Sequence, residues 1–451
     1  MKYLIFIFLS CFILSCSEKK KDKKANMTPT VAIKNSDFHT SYGIYSIEEK
    51  DSISTFKIEQ LVAKLLPTYK LADSITAPVK ENKYTITQFS NPKNEYPAPS
   101  MDYLQHSAHN LSEEEMNSLQ SPKKAVLINF SGTHENVIAD QIQINSIIDS
   151  LIHSSTAMVT DYITYETFNS TSWKKDRVAS FTAETKDITS QFTIHLYRDG
   201  DGDFCRAVTL GMRKFCLPDI SIENISCRDS NSYASLINLL GQTLLELPKI
   251  TKDSTLLLDI NNIANDSVKS RLLNSLEENA LKKGVLQLKS VEPQEGDDYN
   301  TQFQIVFNTK GYSSPQEEQQ ELISTIFGAT DAITFIEHEE DILSASNRAK
   351  QKLPEFQKLF NNGLEPGYAI LLKAPFKTDE DGQEWMWIEV TKWEGSTISG
   401  ILQNDPFQIA DLKAGAIVSA NQEAIFDYIY YHPDGTSEGN ETGEIISKRA
   451  Q

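Results

Sequence analysis

A few groups of residues have the types and spacing that could carry chemistry. The run DGDGD places Asp199, Asp201 and Asp203 at alternate positions, the spacing with which an EF-hand loop begins to wrap calcium. Position six of that loop is Phe204 where glycine is needed, and position twelve is Leu210 where a bidentate glutamate belongs. The run is therefore read as a hairpin turn, where Asp-Gly pairs serve conformation. Its three aspartates are the only weak metal candidates, and no cofactor is expected. His106 and His109 stand three apart before Glu113, Glu114 and Glu115. A zinc site of the H-E-x-x-H kind needs a glutamate between histidines on one rigid helix face; these two are expected to be solvated. Cys205, Cys216 and Cys227 lack the close pairs of a zinc site. Their odd number allows at most one bridge, and buried free thiols are the expected state. No P-loop or G-x-G-x-x-G run is present, and no carboxylate pair can be assigned acid and base roles.

The stretch EWMWIEVTKWEGSTISGILQNDPF holds three of the four tryptophans, Trp385, Trp387 and Trp393. On a strand, Trp385 and Trp387 share one face with Glu389, while Met386, Ile388 and Val390 share the other. Apolar residues on both faces predict a strand covered on both sides, so packing is favoured over an exposed aromatic patch. Trp393, beside the turn residues Glu394 and Gly395, is the one expected to meet a partner.

The elements that position these residues read as three units. From 41 to 168, strands alternate with amphipathic helices in the order β-α-β then β-α-β, which suits a ferredoxin-like split unit. From 169 to 343 a hairpin, a third strand and alternating helices and strands predict a second α+β unit with a mixed sheet. A helix is expected from Ser267 to Gly284, and Pro354 is expected to interrupt the helical connection to the last unit. From 344 to 451 the texture becomes all-β, with short strands between EG, NDP, KAG and HPDG turns, and predicts a small SH3-like barrel. The fold class is thus α+β: two α/β sandwich units followed by a small barrel.

The N-terminus suggests a location. MKYLIFIFLSCFILSC has one early lysine and an apolar run too short to cross a bilayer comfortably, which matches a signal peptide over 1–15. Ile13-Leu14-Ser15-Cys16 resembles the lipobox of bacterial lipoproteins, which implies lipidation of Cys16. Residues 16–40 then form a polar tether, five lysines of which lie in SEKKKDKKANMTPT. A lipid anchor in the cell envelope follows as the expectation, on the outer membrane facing the periplasm. The net charge of −19 excludes the basic footprint that nucleic acid requires.

From Phe356 onward the chain resembles the YegJ-like family of bacterial domains of unknown function. The resemblance rests on Leu372-Lys373-Ala374-Pro375-Phe376, on Glu384 to Val390, and on Gly400-Ile401-Leu402-Gln403-Asn404-Asp405-Pro406. Leu412-Lys413-Ala414-Gly415, Asp427-Tyr428 and Glu438-Gly439-Asn440 complete it. Ala416 and Tyr428 depart from the family's usual acidic residue and tryptophan. The family has no activity to carry over. With the tryptophans, Asn404, Asp405, Phe407, Asp427, Tyr428 and Asn440 are the candidate partner-binding residues. The leading expectation is a membrane-tethered binding or scaffold protein with a protein partner. The rivals are an immunity-type protein that neutralises a basic toxin, and an enzyme with a site between the α/β units.

Overall fold

Period-two and helical apolar patterns divide the chain into three sheets with eleven α-helices among the described residues. The computed structural model describes residues 35–198, 204–227, 230–246, 250, 254–277, 280–307, 312, 314–328, 340–378, 383–406 and 409–449. Cys16, Asp199, Asp201, Asp203 and Phe407 therefore lie outside the described residues. Among the described residues no helix is long and apolar enough to cross a membrane.

The first sheet has seven strands: β1 (Asp37–Ser46), β2 (Lys70–Leu71), β3 (Lys83–Phe89), β4 (Ala108–His109), β5 (Lys124–Thr133), β6 (Met158–Asp161) and β7 (Glu166–Phe168). Their order is β2-β3-β5-β1-β6-β7-β4. Within it β3, β5, β1 and β6 are mutually antiparallel neighbours. Helices α1 (Thr55–Leu65) and α5 (Val137–Ile152) bury Ile58, Val62, Ile144 and Ile148 against Tyr42, Ile44, Ile128 and Phe130. Three short helices, α2 (Pro92–Glu95), α3 (Met101–Ser107) and α4 (Glu113–Leu119), bridge β3 to β5. Ser112 opens α4 with a capping box to Glu115, as its sequence predicts. The far side of α5 carries Ile138 and Ile142 onto the core of the second unit.

That unit begins with α6 (Ser170–Trp173), which leads into a π-helical turn, Lys174–Ala179. Strands β8 (Thr193–Arg198), β9 (Cys205–Leu210) and β10 (Asp219–Ile225) are followed by α7 (Ser230–Leu245), β11 (Thr255–Asp259) and α8 (Asp266–Asn274). β12 (Lys283–Val291), β13 (Gln302–Val306) and α9 (Pro315–Phe327) complete it. The order β11-β12-β13-β10-β9-β8 contains one parallel pair, β10 with β13, so the sheet is mixed as expected. The helix expected to run to Gly284 stops at Asn274, and Gly284 lies inside β12 instead. A Cβ there would come within 2.9 Å of Ile326 and Leu322, so the glycine marks where α9 seats on the sheet, not a helix end.

The expectation of free thiols is corrected for two of the three cysteines. Cys205 and Cys227 form a disulfide with Cα atoms 5.2 Å apart, and Cys216 stays free and buried. Cys205 lies in β9 opposite Ile225, the last residue of the antiparallel β10, and Cys227 follows two residues beyond that strand's end. Even spacing along the chain conceals that pairing.

The third unit departs furthest from its sequence reading. β14 (Ala369–Lys377), β15 (Gln383–Glu394), β16 (Thr397–Leu402), β17 (Ile417–Asn421), β18 (Asp427–Tyr431) and β19 (Ser437–Gly439) form one sheet in the order β17-β16-β15-β14-β18-β19. It is an open antiparallel sheet, not the expected barrel, because β17 and β19 remain edges. The helix α10 (Glu340–Asn361) supplies the cover that closure would have given, burying Leu353 and Phe356 on Ile370, Leu372 and Ile388. α10 continues through Pro354; its packed neighbours on either side hold the helix despite the missing N–H. A last helix, α11 (Glu441–Arg449), was not anticipated. Pro375 lies in β14 beyond Lys373, where pairing with β18 has ended, so its lack of a donor on that side costs nothing. The third sheet docks on the second unit: Ser226 Oγ donates to the buried Glu389 carboxylate, and Ser314 Oγ to the Gly415 carbonyl 3.2 Å away.

Candidate functional site

The residues expected to bind a partner divide between two places in the third unit. Asp427, Tyr428 and Asn440 come together where β18, α10 and α11 meet. Asp427 is buried and accepts hydrogen bonds from Tyr428 N at 2.8 Å, Thr442 N at 2.9 Å and Thr442 Oγ1 at 2.5 Å. It thereby caps the first turn of α11. Burial pushes its carboxyl up, and the Thr442 bonds oppose the rise. On the neighbouring strand Lys373 stands opposite Asp427, also buried, and burial lowers its ammonium to about 8. Gly439 precedes the turn into α11 with φ 98°, and a Cβ there would meet Tyr428 O at 2.2 Å; no other residue fits. Asn440, with φ 58°, returns its N–H to the same carbonyl at 2.7 Å.

These elements leave a groove of about 660 Å³ between α10 and α11, with Tyr428 in its wall. The Tyr428 ring packs 4.6 Å from that of Phe356. Its rim carries Arg348 paired with Glu441 and Lys352 paired with Glu355 at 3.1 Å. All four are substantially exposed, so the pairs add little stability and can exchange partners. The groove thus sets the Tyr428 ring beside a rim of charges of both signs. Among the described residues no group of side chains could hold a metal ion.

The tryptophans belong elsewhere. Trp385 and Trp387 lie half-buried on the face of β15 away from α10, with Trp385 against Phe426 at 4.5 Å and Lys373 Nζ 5.3 Å from the Trp387 ring. Asn404 Oδ1 accepts from Trp387 N at 3.1 Å, and Asp405, itself exposed, accepts from Ala414 N at 2.9 Å. These two residues hold loop backbone. Trp393, expected to be exposed at the turn, is instead buried, 4 % accessible, with Nε1 donating to Gln422 at 3.1 Å. The cause is a bulge between Val390 and Lys392. One extra residue inverts the alternation, turning Trp393 onto the α10 face with Ile398.

Residues 339–449 match DUF2314. The family is described as an uncharacterized protein conserved in bacteria, and the match takes in everything from α10 to α11. No curated protein and no solved structure matches the chain. The chain thus carries a C-terminal bacterial domain of unknown function, and both the groove and the tryptophan face lie in this DUF2314 domain.

A second polar site lies outside the DUF2314 domain, at the junction of the first two units. His109, on the edge strand β4, has Nε2 2.6 Å from Glu166 and Nδ1 3.5 Å from Asp176 of the π-helical turn, and its ring stacks on Phe168. It is therefore held between two carboxylates, not freely solvated as expected. Behind it, Arg177 pairs with Glu166 and lies 3.7 Å from Asp161, which also receives Lys214 at 2.7 Å. Arg177, Asp161 and Lys214 are all buried. Burial raises the Glu166 carboxyl, but Arg177 and His109 beside it hold it well below the usual range. Burial lowers Lys214 to about 8 against the pull of Asp161. The cleft in front of His109 measures about 500 Å³ and includes Ser180, Thr189 and Arg271 in its lining. Sequence reasoning missed it because its members come from six separate segments. The one local signal was the charged run Lys174-Lys175-Asp176-Arg177.

Proposed function

We propose that the chain is a lipid-anchored protein of the bacterial cell envelope, attached through Cys16 to the outer membrane and facing the periplasm, that binds a protein partner through its DUF2314 domain. The observation that carries the binding role is that Asp427, Tyr428 and Gly439 line the groove between α10 and α11, with Asn440 held to the Tyr428 carbonyl beside it. These residues belong to the motifs by which the domain is recognisable, and the tryptophans of the same motifs are engaged in packing. The Cys205–Cys227 bridge supports an oxidising compartment. The order β3-β5-β1-β6, with α1 and α5 on one face, supports a ferredoxin-like first unit.

Affinity capture from an envelope extract tests the reading, using the full chain, Lys352→Glu and Tyr428→Ala, each checked for native thermal unfolding. Partners retained by the wild type and lost by both variants support it; an unchanged set of captured proteins refutes it. His109 between Glu166 and Asp176 favours, as a second reading, an enzyme working in the junction cleft. Saturable binding of a small molecule that His109→Gln abolishes would select it.

A further inference from the structure

Tyr299 is 89 % exposed, more than any other large apolar side chain among the described residues. It stands at the tip of the loop 292–301 between β12 and β13. The loop is not loosely held. Arg206, its side chain 2 % accessible, grips both oxygens of Asp297 at 2.9 Å, and Gln302 Nε2 adds a bond to Asp297 at 2.7 Å. On the other side of the tyrosine, the buried Asn300 donates to Leu217 O at 3.0 Å and to Asp219 at 2.5 Å. Arg213 donates to the Tyr299 carbonyl itself at 2.9 Å. Buried bonds on both flanks therefore present one aromatic ring rigidly to the outside.

The chain enters its described part beside that ring. Asn35 donates through Nδ2 to Asn300 Oδ1 at 2.8 Å and through its N–H to Cys216 O at 2.7 Å. The 19 steps from Cys16 to Asn35 reach at most about 65 Å even when fully extended. The end of the molecule that carries Tyr299 is thus the end from which the anchor departs. Tyrosine has an apolar body and a hydroxyl tip, and it is enriched at the level of lipid headgroups. Nearby charge is largely compensated: Asp297 faces Arg206, and Asp298 lies 4.0 Å from Arg213. Glu292 and Glu295 remain exposed, which disfavours an anionic surface and suits zwitterionic headgroups bearing an ammonium.

We infer that Tyr299 is an interfacial anchor, which seats the loop 292–301 on a zwitterionic phospholipid surface and so orients the protein on its membrane. This rests on the lipid-anchor reading of Cys16. The lipidated full chain is reconstituted in phosphatidylethanolamine–phosphatidylcholine vesicles and compared with unlipidated chain, residues 17–451, free in solution. Amide hydrogen exchange is followed over 292–301, and the mass of the N-terminal peptide reports the lipid independently. Exchange over 292–301 is expected to slow on vesicles, with Tyr299→Ser removing most of the difference and the turn at 432–436 unaffected. Equal exchange with a lipid present on Cys16 overturns the role of Tyr299 while leaving the anchor intact. Slowing that survives Tyr299→Ser also overturns it, since something other than the ring, such as a bound basic protein, then covers the loop. An unlipidated Cys16 overturns both readings.

Discussion

Replacing Arg177 by methionine puts the buried charge cluster to a quantitative test. The guanidinium serves two carboxylates: Glu166 directly, and Asp161 at 3.7 Å, with Arg177 and Asp161 almost wholly inaccessible. Removing one partner of a buried pair strands its counter-charge and costs about 3–5 kcal/mol. Here Lys214 still holds Asp161 and His109 still meets Glu166, which puts the expected loss near the lower end, about 3 kcal/mol. For a cooperative unit of this size that lowers the melting temperature by about 6–12 °C. Calorimetry measures the shift, and hydrogen exchange over 158–179 shows whether it originates at the cluster. Adding Glu166→Met should restore much of the loss, because the stranded charge goes with it. The acid limb offers a second reading. The Glu166 carboxyl is depressed in the folded state, so its stabilisation is complete above the unfolded value of about 4.3 and fades as pH falls. The Arg177→Met protein should lose that dependence. A melting temperature within about 2 °C of wild type would refute the argument, since it would mean that water already solvates these groups.

Burial lowers Lys214 and Lys373 to about 8, below the unfolded value of about 10.4. Between pH 8 and 10 the unfolded chain then binds more protons, so stability should rise with pH in that window. The double variant Lys214→Met, Lys373→Met should flatten the rise in denaturant titrations; an unchanged slope counts against both assignments. Serine at Cys205 and Cys227 opens a bridge between residues 22 apart, and chemical denaturation should show a loss of about 3 kcal/mol. Trp393→Ala should cost about 3–5 kcal/mol, and Trp385→Ala, from a half-buried position, clearly less. The reverse ranking would place Trp393 at the surface after all.

Much of the chain's architecture was legible in its residues. The helical period of Thr55–Leu65 reports local burial, with Ile58 and Val62 one turn apart on the inner face. The capping box at Ser112 is equally local. The misreadings share a different origin. A bulge of one residue moved Trp393 from surface to core, and parity cannot be read past an extra residue that leaves no mark in composition. A second gap concerned how the last sheet is covered. Short strands and turns suit a closed sheet or an open one equally well. The choice was made by α10, whose Leu353 and Phe356 cover the face that a barrel would have folded inward.

The sites show the same division. That Asp427-Tyr428 and Glu438-Gly439-Asn440 belong to one recognisable domain is a property of their order along the chain, and the match over 339–449 reflects it. That Asp427, Tyr428 and Gly439 line one groove depends on β18, α10 and α11 meeting, and that the tryptophans lie elsewhere depends on the two faces of one sheet. The junction cluster carried even less sequence signal. His109, Asp161, Glu166, Arg177 and Lys214 are scattered over more than a hundred residues, each on a different element, and gather only when those elements pack. Sequence by itself determined most of the elements and the domain, because period and motif are local. Only the tertiary structure decided which charges are buried together, since that depends on contacts between residues far apart in the chain.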